Sequence, residues 1–418
     1  MEVTVLKNGL RVALDEQKGF HSAAISIYIA AGNRYERAQN CGVSHFIEHM
    51  IFKGTHSRST ADISAEADAL GGQLNAYTAK EYTCIYSRAL TEHVGRTLHL
   101  MCDMIKNPSF LPDCIESEKG VILEEIGMYE DSPEDLCADL LTAVCYNNKP
   151  LGFNILGTRE TVFNITEQIL RDYMAKTYVP ERMVVSVSGN FQKEEVVNII
   201  EQYFGDVKNT NNPLKYEPAI ISGGYSLCKK DIEQTQISLA FNGLPIGHPL
   251  RFAASYFLTI SGGAASSRLN RRIREELGIA YSAYAFSSNF LGTGMFGISA
   301  GLSHKNQGKF LEEGLKILNE CKVNITPDEM TRTKDQFKAS VALSSESLSS
   351  KAASMGRQLL LEDKYNDIET ILSSIENVTV DEVYEAAKLL TDPQKIALSV
   401  VGDAKAESYY KKTIEKFI

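Results

Sequence analysis

The sequence predicts an α+β protein of two similar domains, each a mainly antiparallel sheet layered with helices. A chain of 418 residues is long enough for two or three domains. With 44% hydrophobic and 23% charged residues, its composition is that of an ordinary globular protein and excludes a fibrous or low-complexity one. Short strand-like segments with alternating apolar residues are interspersed with segments of helical periodicity, which together indicate the α+β class.

The order of these segments occurs twice, which predicts an internal duplication. AAISIYIAAG, LNAYTAKEYTCIYSRAL and VSVSGNF follow one another in the first half, and TQISLAFNGLPIG, SAYAFSSNFLGTGMFGISAG and LSVVGDA repeat that order in the second. The proline-containing segment 206–218 is polar and fits a linker. We therefore predict an N-terminal domain over 1–205, a linker over 206–218 and a duplicated C-terminal domain over 219–418. Within the first domain, LRVALDE and AAISIYIAAG are expected to pair as adjacent strands.

Charge and cysteine usage limit the partners and the compartment. The net charge of −10 opposes non-specific binding to nucleic acid or to an anionic membrane surface. No apolar run approaches the roughly 18 residues of a membrane helix, and charges interrupt the apolar N-terminal segment, unlike in a signal peptide. The eight cysteines form no CxxC pair, which is typical of a reducing compartment. We expect a cytoplasmic protein with no nucleic-acid or membrane partner; a mitochondrial matrix protein would have the same composition.

The pentapeptide His45-Phe46-Ile47-Glu48-His49 is the most informative motif. On a helix, positions i, i+3 and i+4 share a face, so His45, Glu48 and His49 project together. Ser44 is the expected N-cap of this helix. Two imidazoles beside a carboxylate are the inverted form of the HExxH zinc motif. The alternative is a pair of surface histidines beside a solvated glutamate.

A catalytic zinc needs a third protein ligand, and an acidic segment further along the chain offers one. In ESEKGVILEEIGMYE, Glu118 and Glu125 lie two helical turns apart and fall on one side of a predicted helix. The spacing does not choose between Glu124 and Glu125, because both flank the same apolar run. An amphipathic helix with solvated acids is the alternative interpretation.

Three segments, HFIEHMIFKGT, GGQLNAYTAKEYT and EKGVILEEI, together resemble the pitrilysin/insulinase family of inverted-motif zinc peptidases, closest to its mitochondrial-processing-peptidase-like branch. The resemblance implies a metalloendopeptidase that holds one Zn²⁺ per protomer through His45, His49 and Glu125. It also implies that Glu48 is the general base acting on zinc-bound water. Glu118 matches a family glutamate that supports the site from behind the metal ligands.

The resemblance also covers segments that hold no metal ligand. One matches the family's substrate-binding edge strand, to which an extended peptide adds by backbone hydrogen bonds; it consists of Leu74, Asn75, Ala76, Tyr77 and Thr78. In the second half, Arg274 and Tyr281 match a catalytic pair that contacts substrate near the zinc, although that half has no HxxEH. Long family members have four domains and this chain has two, so the resemblance implies that the pair serves the site of a facing subunit.

The expected function is zinc-dependent hydrolysis of unfolded peptides or leader and presequence segments, in a chamber closed by dimerisation. A homodimer is expected, and a heterodimer is the alternative. Two other functions stay open: a noncatalytic assembly or partner subunit of the same family, and a dedicated peptide-maturation protease that works with a divergent partner. Nine acids and one lysine between residues 113 and 135 would favour basic peptides, unless they form a solvated acidic face.

Overall fold

The computed structural model describes residues 1–71, 73–147, 149–210, 216 and 218–417. Strands and helices alternate along the chain and form two sheets, so the predicted α+β class is confirmed. The strands are β1 (Glu2–Val5), β2 (Arg11–Glu16), β3 (Ser22–Ile29), β4 (Asn75–Thr78), β5 (Thr83–Leu90), β6 (Met183–Gly189), β7 (Gly224–Lys229), β8 (Thr235–Asn242), β9 (Ala280–Phe290), β10 (Thr293–Leu302) and β11 (Ala397–Gly402).

The α-helices range from one turn to 20 residues in length. They are α1 (Val43–Met50), α2 (Thr60–Ala69), α3 (Val94–Lys106), α4 (Pro112–Asp131), α5 (Pro133–Cys145), α6 (Arg159–Phe163), α7 (Glu167–Thr177), α8 (Lys193–Phe204), α9 (Arg251–Leu258), α10 (Arg268–Asn270), α11 (Gln307–Glu320), α12 (Pro327–Ser345), α13 (Leu348–Glu362), α14 (Ile368–Glu376), α15 (Val380–Leu390) and α16 (Glu407–Ile414). Among the described residues, no helix has both the length and the apolar composition needed to cross a bilayer.

The first sheet has the strand order β1-β2-β6-β3-β5-β4. The expected pairing of LRVALDE with AAISIYIAAG is wrong, because β6 lies between β2 and β3, parallel to the former and antiparallel to the latter. All seven residues of β6 are buried, so this strand is covered on both faces, as expected for a strand in the middle of the sheet. The order leaves β4 at one edge.

The second sheet has the order β7-β11-β8-β10-β9, which repeats that of the first sheet without β1. In each sheet one pair is parallel, β2 with β6 and β7 with β11, and the remaining described pairs are antiparallel. The same order and the same strand directions confirm the two similar, mainly antiparallel domains that the repeat predicts.

The described chain forms two compact units, and neither is continuous in sequence. Unit 1 consists of Met1–Ile126, Phe153–Glu217 and Leu343–Asn366. Unit 2 consists of Gly127–Gly152, Pro218–Ala342 and Asp367–Ile418. The predicted ranges 1–205 and 219–418 differ from these units, since each unit takes in one helix from the other half of the chain. Residues 211–215 and 217 of the predicted linker lie outside the described residues. The roles given to the two domains stay a prediction.

The exchanged helices are α13 and α5, and each covers one sheet. Helix α13 packs on β3 and β6, where the Ser186 hydroxyl donates a hydrogen bond of 2.8 Å to the carbonyl oxygen of Ala352. Gly356 of the same helix lies against the ring of Tyr28 and has no room for a Cβ. Helix α5 packs on β8 and β11, with the Cys137 thiol 3.5 Å from the carbonyl oxygen of Ser399. The exchange completes the layer of helix that each sheet needs to bury one face.

Candidate metal centre and active site

Helix α1 carries the HxxEH motif, and its apolar residues fix which face the motif occupies. Phe46 and Ile47 are fully buried in the core of unit 1. His45, Glu48 and His49 consequently share another face, as their spacing predicts. His45 is 7% exposed, and the other two are half-buried.

The first turn of α1 is held by a residue that the sequence analysis missed. The expected cap, Ser44, lies inside the helix; the N-cap position belongs to Gly42, whose φ of +91° suits glycine. The carboxylate of Glu36 accepts hydrogen bonds from the backbone N–H groups of Gly42 at 2.7 Å and Ser44 at 2.9 Å. It thus satisfies two donors that the helix leaves unpaired at its N-terminus. Burial raises the pKa of Glu36 to about 7, although these bonds oppose the shift.

The structure distinguishes Glu125 from Glu124. Oε2 of Glu125 lies 3.6 Å from Nε2 of His45 and 3.6 Å from Nε2 of His49, whereas Glu124 is exposed to solvent. Burial of Ile122 and Ile126 sets the rotation of α4 and turns Glu125 toward α1. Sequence spacing could not decide between the two glutamates because they are adjacent in the chain.

The three donor atoms fit a tetrahedral zinc ion. The two Nε2 atoms of His45 and His49 are 3.2 Å apart, and all three ligand atoms lie within 4.8 Å of one another. Bonds of about 2.0 Å at tetrahedral angles separate ligand atoms by about 3.3 Å, close to the observed spacings. Two nitrogens and one oxygen leave a fourth position open, as in catalytic rather than structural zinc sites.

Glu118 fixes the orientation of His49. Its Oε1 lies 2.8 Å from Nδ1 of His49, and its Oε2 lies 2.7 Å from Nζ of Lys53. Glu118 is only 2% exposed, so the lysine balances a carboxylate that has little contact with water. A proton on Nδ1 leaves the lone pair of Nε2 directed toward His45 and Glu125. Lys53 was not predicted, because it lies beyond the end of α1 and pairs with a glutamate on a helix that is distant in the sequence.

The environment of His45 keeps its imidazole neutral. Burial, and secondarily the neighbouring His49, lower the pKa of His45 to about 3. A neutral imidazole has a lone pair available for a metal ion at neutral pH. Its Nδ1 is buried and has no hydrogen-bond partner within the described residues.

Glu48 lies next to the histidines and is tied to the sheet edge. Its Oε2 accepts a hydrogen bond of 2.6 Å from the hydroxyl of Thr78 in β4. Burial raises the pKa of Glu48, and the bond from Thr78 opposes that shift. The carboxylate is therefore held in one place, beside the donor atoms of the two histidines.

Strand β4 contains four of the five residues of the predicted substrate strand, since Leu74 precedes it. It pairs with β5 from Asn75 opposite Tyr86 to Thr78 opposite Thr83. No other strand in the described part of the chain pairs with its outer side. Ala76 is buried and Tyr77 is 40% exposed, which is the alternation of a half-buried edge strand. Substrate binding by this segment stays a prediction.

Arg274 and Tyr281 come together in unit 2. Arg274 belongs to the π-helical segment Arg271–Glu276, and Tyr281 is the second residue of β9, an edge strand of the second sheet. The guanidinium carbon of Arg274 lies 5.2 Å from the centre of the Tyr281 ring, within cation–π distance. Tyr281 is 80% exposed, so the phenol is available to a molecule outside this unit. Its contact with substrate stays a prediction.

The acidic segment 113–135 has structural uses that the sequence did not indicate. Glu116 forms an ion pair with Lys119 at 2.7 Å, and Glu134 accepts a hydrogen bond of 3.0 Å from the hydroxyl of Tyr284. Asp131 lies 3.5 Å from the amine of Lys230. These three acids have partners within the chain, so their charges are partly used there. Selection of basic peptides by this segment stays a prediction.

A two-sheet α+β fold with an HxxEH helix facing a glutamate defines the class of inverted-motif metallopeptidases. The family model described as "Insulinase (Peptidase family M16)" matches residues 11–159, and the one described as "Peptidase M16 inactive domain" matches residues 164–337. The chain belongs to peptidase family M16. The second model covers the half that lacks the motif: α9, where the counterpart of α1 is expected, contains neither histidine nor glutamate.

A curated relative and two solved structures show how far the similarity extends. The "Uncharacterized zinc protease YmxG" of Bacillus subtilis is 36% identical over 395 residues, or 94% of this chain and 96% of that protein. A protease from Helicobacter pylori has the same fold, with a TM-score of 0.89 at 19% identity over 96% of this chain and 99% of that one. Complex III2 from Candida albicans contains a chain with a TM-score of 0.85 at 21% identity, covering 100% of this chain and 99% of that one.

Proposed function

We propose that the chain is a zinc-dependent endopeptidase that hydrolyses unfolded peptides or presequence-like segments. The observation that carries this proposal is the convergence of His45, His49 and Glu125, whose donor atoms lie 3.2 and 3.6 Å apart, with Glu48 beside them. These three residues would hold one zinc per protomer, and the name of the Bacillus relative, a zinc protease, supports that choice of metal.

The residues of the site have separate tasks in this reaction. Zinc, when bound, would polarise the scissile carbonyl and lower the pKa of a bound water toward about 7. Glu48 takes a proton from the attacking water and passes it to the leaving amine, so no covalent intermediate with the enzyme is needed. Thr78 keeps the Glu48 carboxylate in position by its hydrogen bond. Glu118 keeps Nε2 of His49 directed at the metal position.

The free edge of β4 is where we place the substrate. An extended peptide that pairs with Asn75–Thr78 would lie close to Glu48, because Thr78 is the last residue of this strand and its hydroxyl donates a hydrogen bond to that carboxylate. A segment within a folded protein has its backbone groups already paired, so we expect a preference for unfolded chains. We place the reaction in a chamber formed by two protomers, with Arg274 and Tyr281 of one serving the site of the other.

We further propose a cytoplasmic location. All eight cysteines are among the described residues, and all are free thiols. Six of them are buried and behave as small apolar residues. A reducing compartment keeps such thiols free.

The competing function is that of a noncatalytic assembly subunit. The similarity to a chain of complex III2 supports this alternative at the level of fold alone. A subunit with no catalytic role has no need of a complete metal and base set. This chain has His45, His49, Glu125 and Glu48 together, which favours catalysis. A dedicated maturation protease with a divergent partner would use the same set, and it differs only in the range of substrates.

The test is a digest of a mixed peptide library by the purified full-length chain, with and without a chelator, beside the variant Glu48→Gln. We expect cleavage that the chelator abolishes and that Glu48→Gln reduces by at least about 10²-fold, while the variant retains its metal. The amide is nearly isosteric with the carboxylate but cannot accept the proton. Absence of cleavage by the zinc-loaded parent, or full activity of Glu48→Gln, would overturn the proposal. Cleavage of a single peptide from the library would identify the dedicated protease.

A further inference from the structure

A cleft in unit 1, lined by none of the metal-site residues, has a volume of about 570 Å³. It lies between the segment before α1, helix α7 and the turn that leads into β6. Three cationic side chains and one carboxylate line it, namely Arg37, Lys176, Arg182 and Asp172. The lining therefore carries a net charge of about +2 in a chain whose overall charge is −10.

Arg182 is the unusual member of this group. It is 7% exposed, its Nε has no hydrogen-bond partner, and its guanidinium forms no ion pair within the described residues. Its close neighbour is the ring of Tyr35, with 5.6 Å between the guanidinium carbon and the ring centre. The hydroxyl of Tyr35 is also buried without a hydrogen-bond partner in the described part of the chain. Buried polar groups are normally paired, because leaving them unpaired costs free energy.

We propose that this cleft binds a small organic anion whose phosphate or carboxylate group contacts Arg37, Lys176 and Arg182. The planar guanidinium of Arg182 presents parallel N–H donors, which match two oxygens of either group. Tyr35 and Ile169 line the same cleft and offer an apolar surface for the remainder of the ligand. The volume lies in the range typical of sites for small molecules and is too small for a macromolecule.

The carboxylate in the cleft does not neutralise this site. Asp172 is exposed, and its Oδ1 accepts a hydrogen bond of 2.8 Å from the side-chain amide of Gln168. Asp172 lies on the same helix as Lys176, one turn earlier, and both side chains are exposed. Water and salt therefore screen the attraction between these two charges. Arg182 and Arg37 lie on other segments of the chain, so the positive charge remains in excess at the site.

A ligand in this cleft would also contact the segment that starts the metal-site helix. Tyr35 and Arg37 flank Glu36, which accepts hydrogen bonds from the N-terminus of α1. Tyr173 of the cleft wall lies with its hydroxyl 2.8 Å from that of Ser44. Binding should therefore stabilise this segment and raise the melting temperature of the chain.

The test measures binding to the purified full-length chain by calorimetry with three probes: phenyl phosphate, phenylacetate and neutral benzyl alcohol. We expect one saturable site per chain for at least one anion, a higher melting temperature with it, and no binding of the alcohol. The stronger of the two anions identifies phosphate or carboxylate as the natural group.

Variants of the lining residues test whether the anion binds in this cleft. The double variant Arg37→Gln/Lys176→Gln should weaken binding at least about 10-fold, since each replacement removes one cation from an oxyanion. The matched double variant Arg96→Gln/Lys388→Gln removes two exposed cations elsewhere and should bind like the parent. Arg182→Lys keeps the charge but loses the parallel donors, and should weaken binding while its circular dichroism stays that of the parent. Equal affinity of both double variants, or no saturation by about 10 mM with either anion, would overturn the proposal.

Discussion

The hydroxyl of Thr78 donates a hydrogen bond of 2.6 Å to Oε2 of Glu48, and this bond joins the edge strand β4 to the carboxylate of the HxxEH motif. One residue thus belongs both to the strand that we expect to bind substrate and to the surroundings of the proposed general base. The bond favours the charged form of Glu48, which burial disfavours. The position and the proton affinity of this carboxylate therefore both depend on a threonine in the sheet.

Replacing this threonine should change the pH dependence of catalysis. Thr78→Val has nearly the same shape but no hydroxyl, so the pKa of Glu48 should rise further. The acid limb of kcat/KM against pH should then move to higher pH, with a loss of roughly 10-fold at neutral pH for a hydrogen bond to a charged group. Thr78→Ser keeps the hydroxyl and is the matched control. A profile of Thr78→Val that overlays that of the parent would show that the bond does not act on the base.

The metal ligands are tested by comparing two adjacent glutamates. Glu125→Gln should lower the zinc content of the purified chain, because it replaces the proposed carboxylate ligand, whose oxygen lies 3.6 Å from both histidine nitrogens. Glu124→Gln changes the charge equally at the next position and should retain the parent's zinc, since that side chain is exposed. Elemental analysis after dialysis provides the measurement. Equal zinc in the two variants would refute Glu125 as a ligand.

Sequence periodicity predicted those parts of the fold that depend on local patterns. The spacing of His45, Glu48 and His49 predicted a shared helix face, and the repeated segment order predicted two similar sheets. Both follow from residues that are close in the chain or that recur in the same order. The pairing of β2 with β3 was predicted wrongly, because the strand that separates them, β6, comes about 150 residues later in the chain.

The site residues that the sequence analysis missed make contacts that no local sequence pattern indicates. Glu36 reaches the N-terminus of α1 from a segment of 3₁₀ turns, which has no periodicity to read. The helix exchange is similar: α5 and α13 are amphipathic in sequence, but an amphipathic pattern does not say which sheet covers the apolar face. Such long-range choices depend on which surfaces fit together in three dimensions, and a single sequence does not display them.

Glu36 should make the stability of the fold depend on pH. Its pKa of about 7 in the folded chain exceeds the ordinary value of 4.5, so folding favours the protonated form. The resulting stabilisation is complete below about pH 4.5 and is lost as the pH rises through about 7. Glu36→Gln removes this titration. The difference in free energy of unfolding between parent and variant should therefore change by roughly 3 kcal/mol between pH 4.5 and 8, at about 1.4 kcal/mol per pKa unit.

Urea denaturation of both proteins at several pH values checks this prediction. Comparing parent with variant cancels the contributions of other groups, such as His45, whose pKa is shifted in the opposite direction. A difference that does not vary with pH would show that Glu36 titrates alike in the folded and unfolded chains. Its role would then be limited to the two hydrogen bonds at the start of α1.

The last prediction concerns the division of one active site between two protomers. The chain has one HxxEH motif, and Arg274 and Tyr281 lie in the unit that lacks it. If facing protomers share their sites, Glu48→Gln disables the base and Tyr281→Phe disables the partner's site. A heterodimer of these two inactive variants has one site with both defects and one site with neither. Mixing them should then restore activity, up to about one quarter of the parent's level when subunits exchange at random.

If each chain completes its own site, every site keeps one defect and mixing restores nothing. Subunit exchange is verified with differently tagged protomers, so a mixture that exchanges but stays inactive would rule out the shared site.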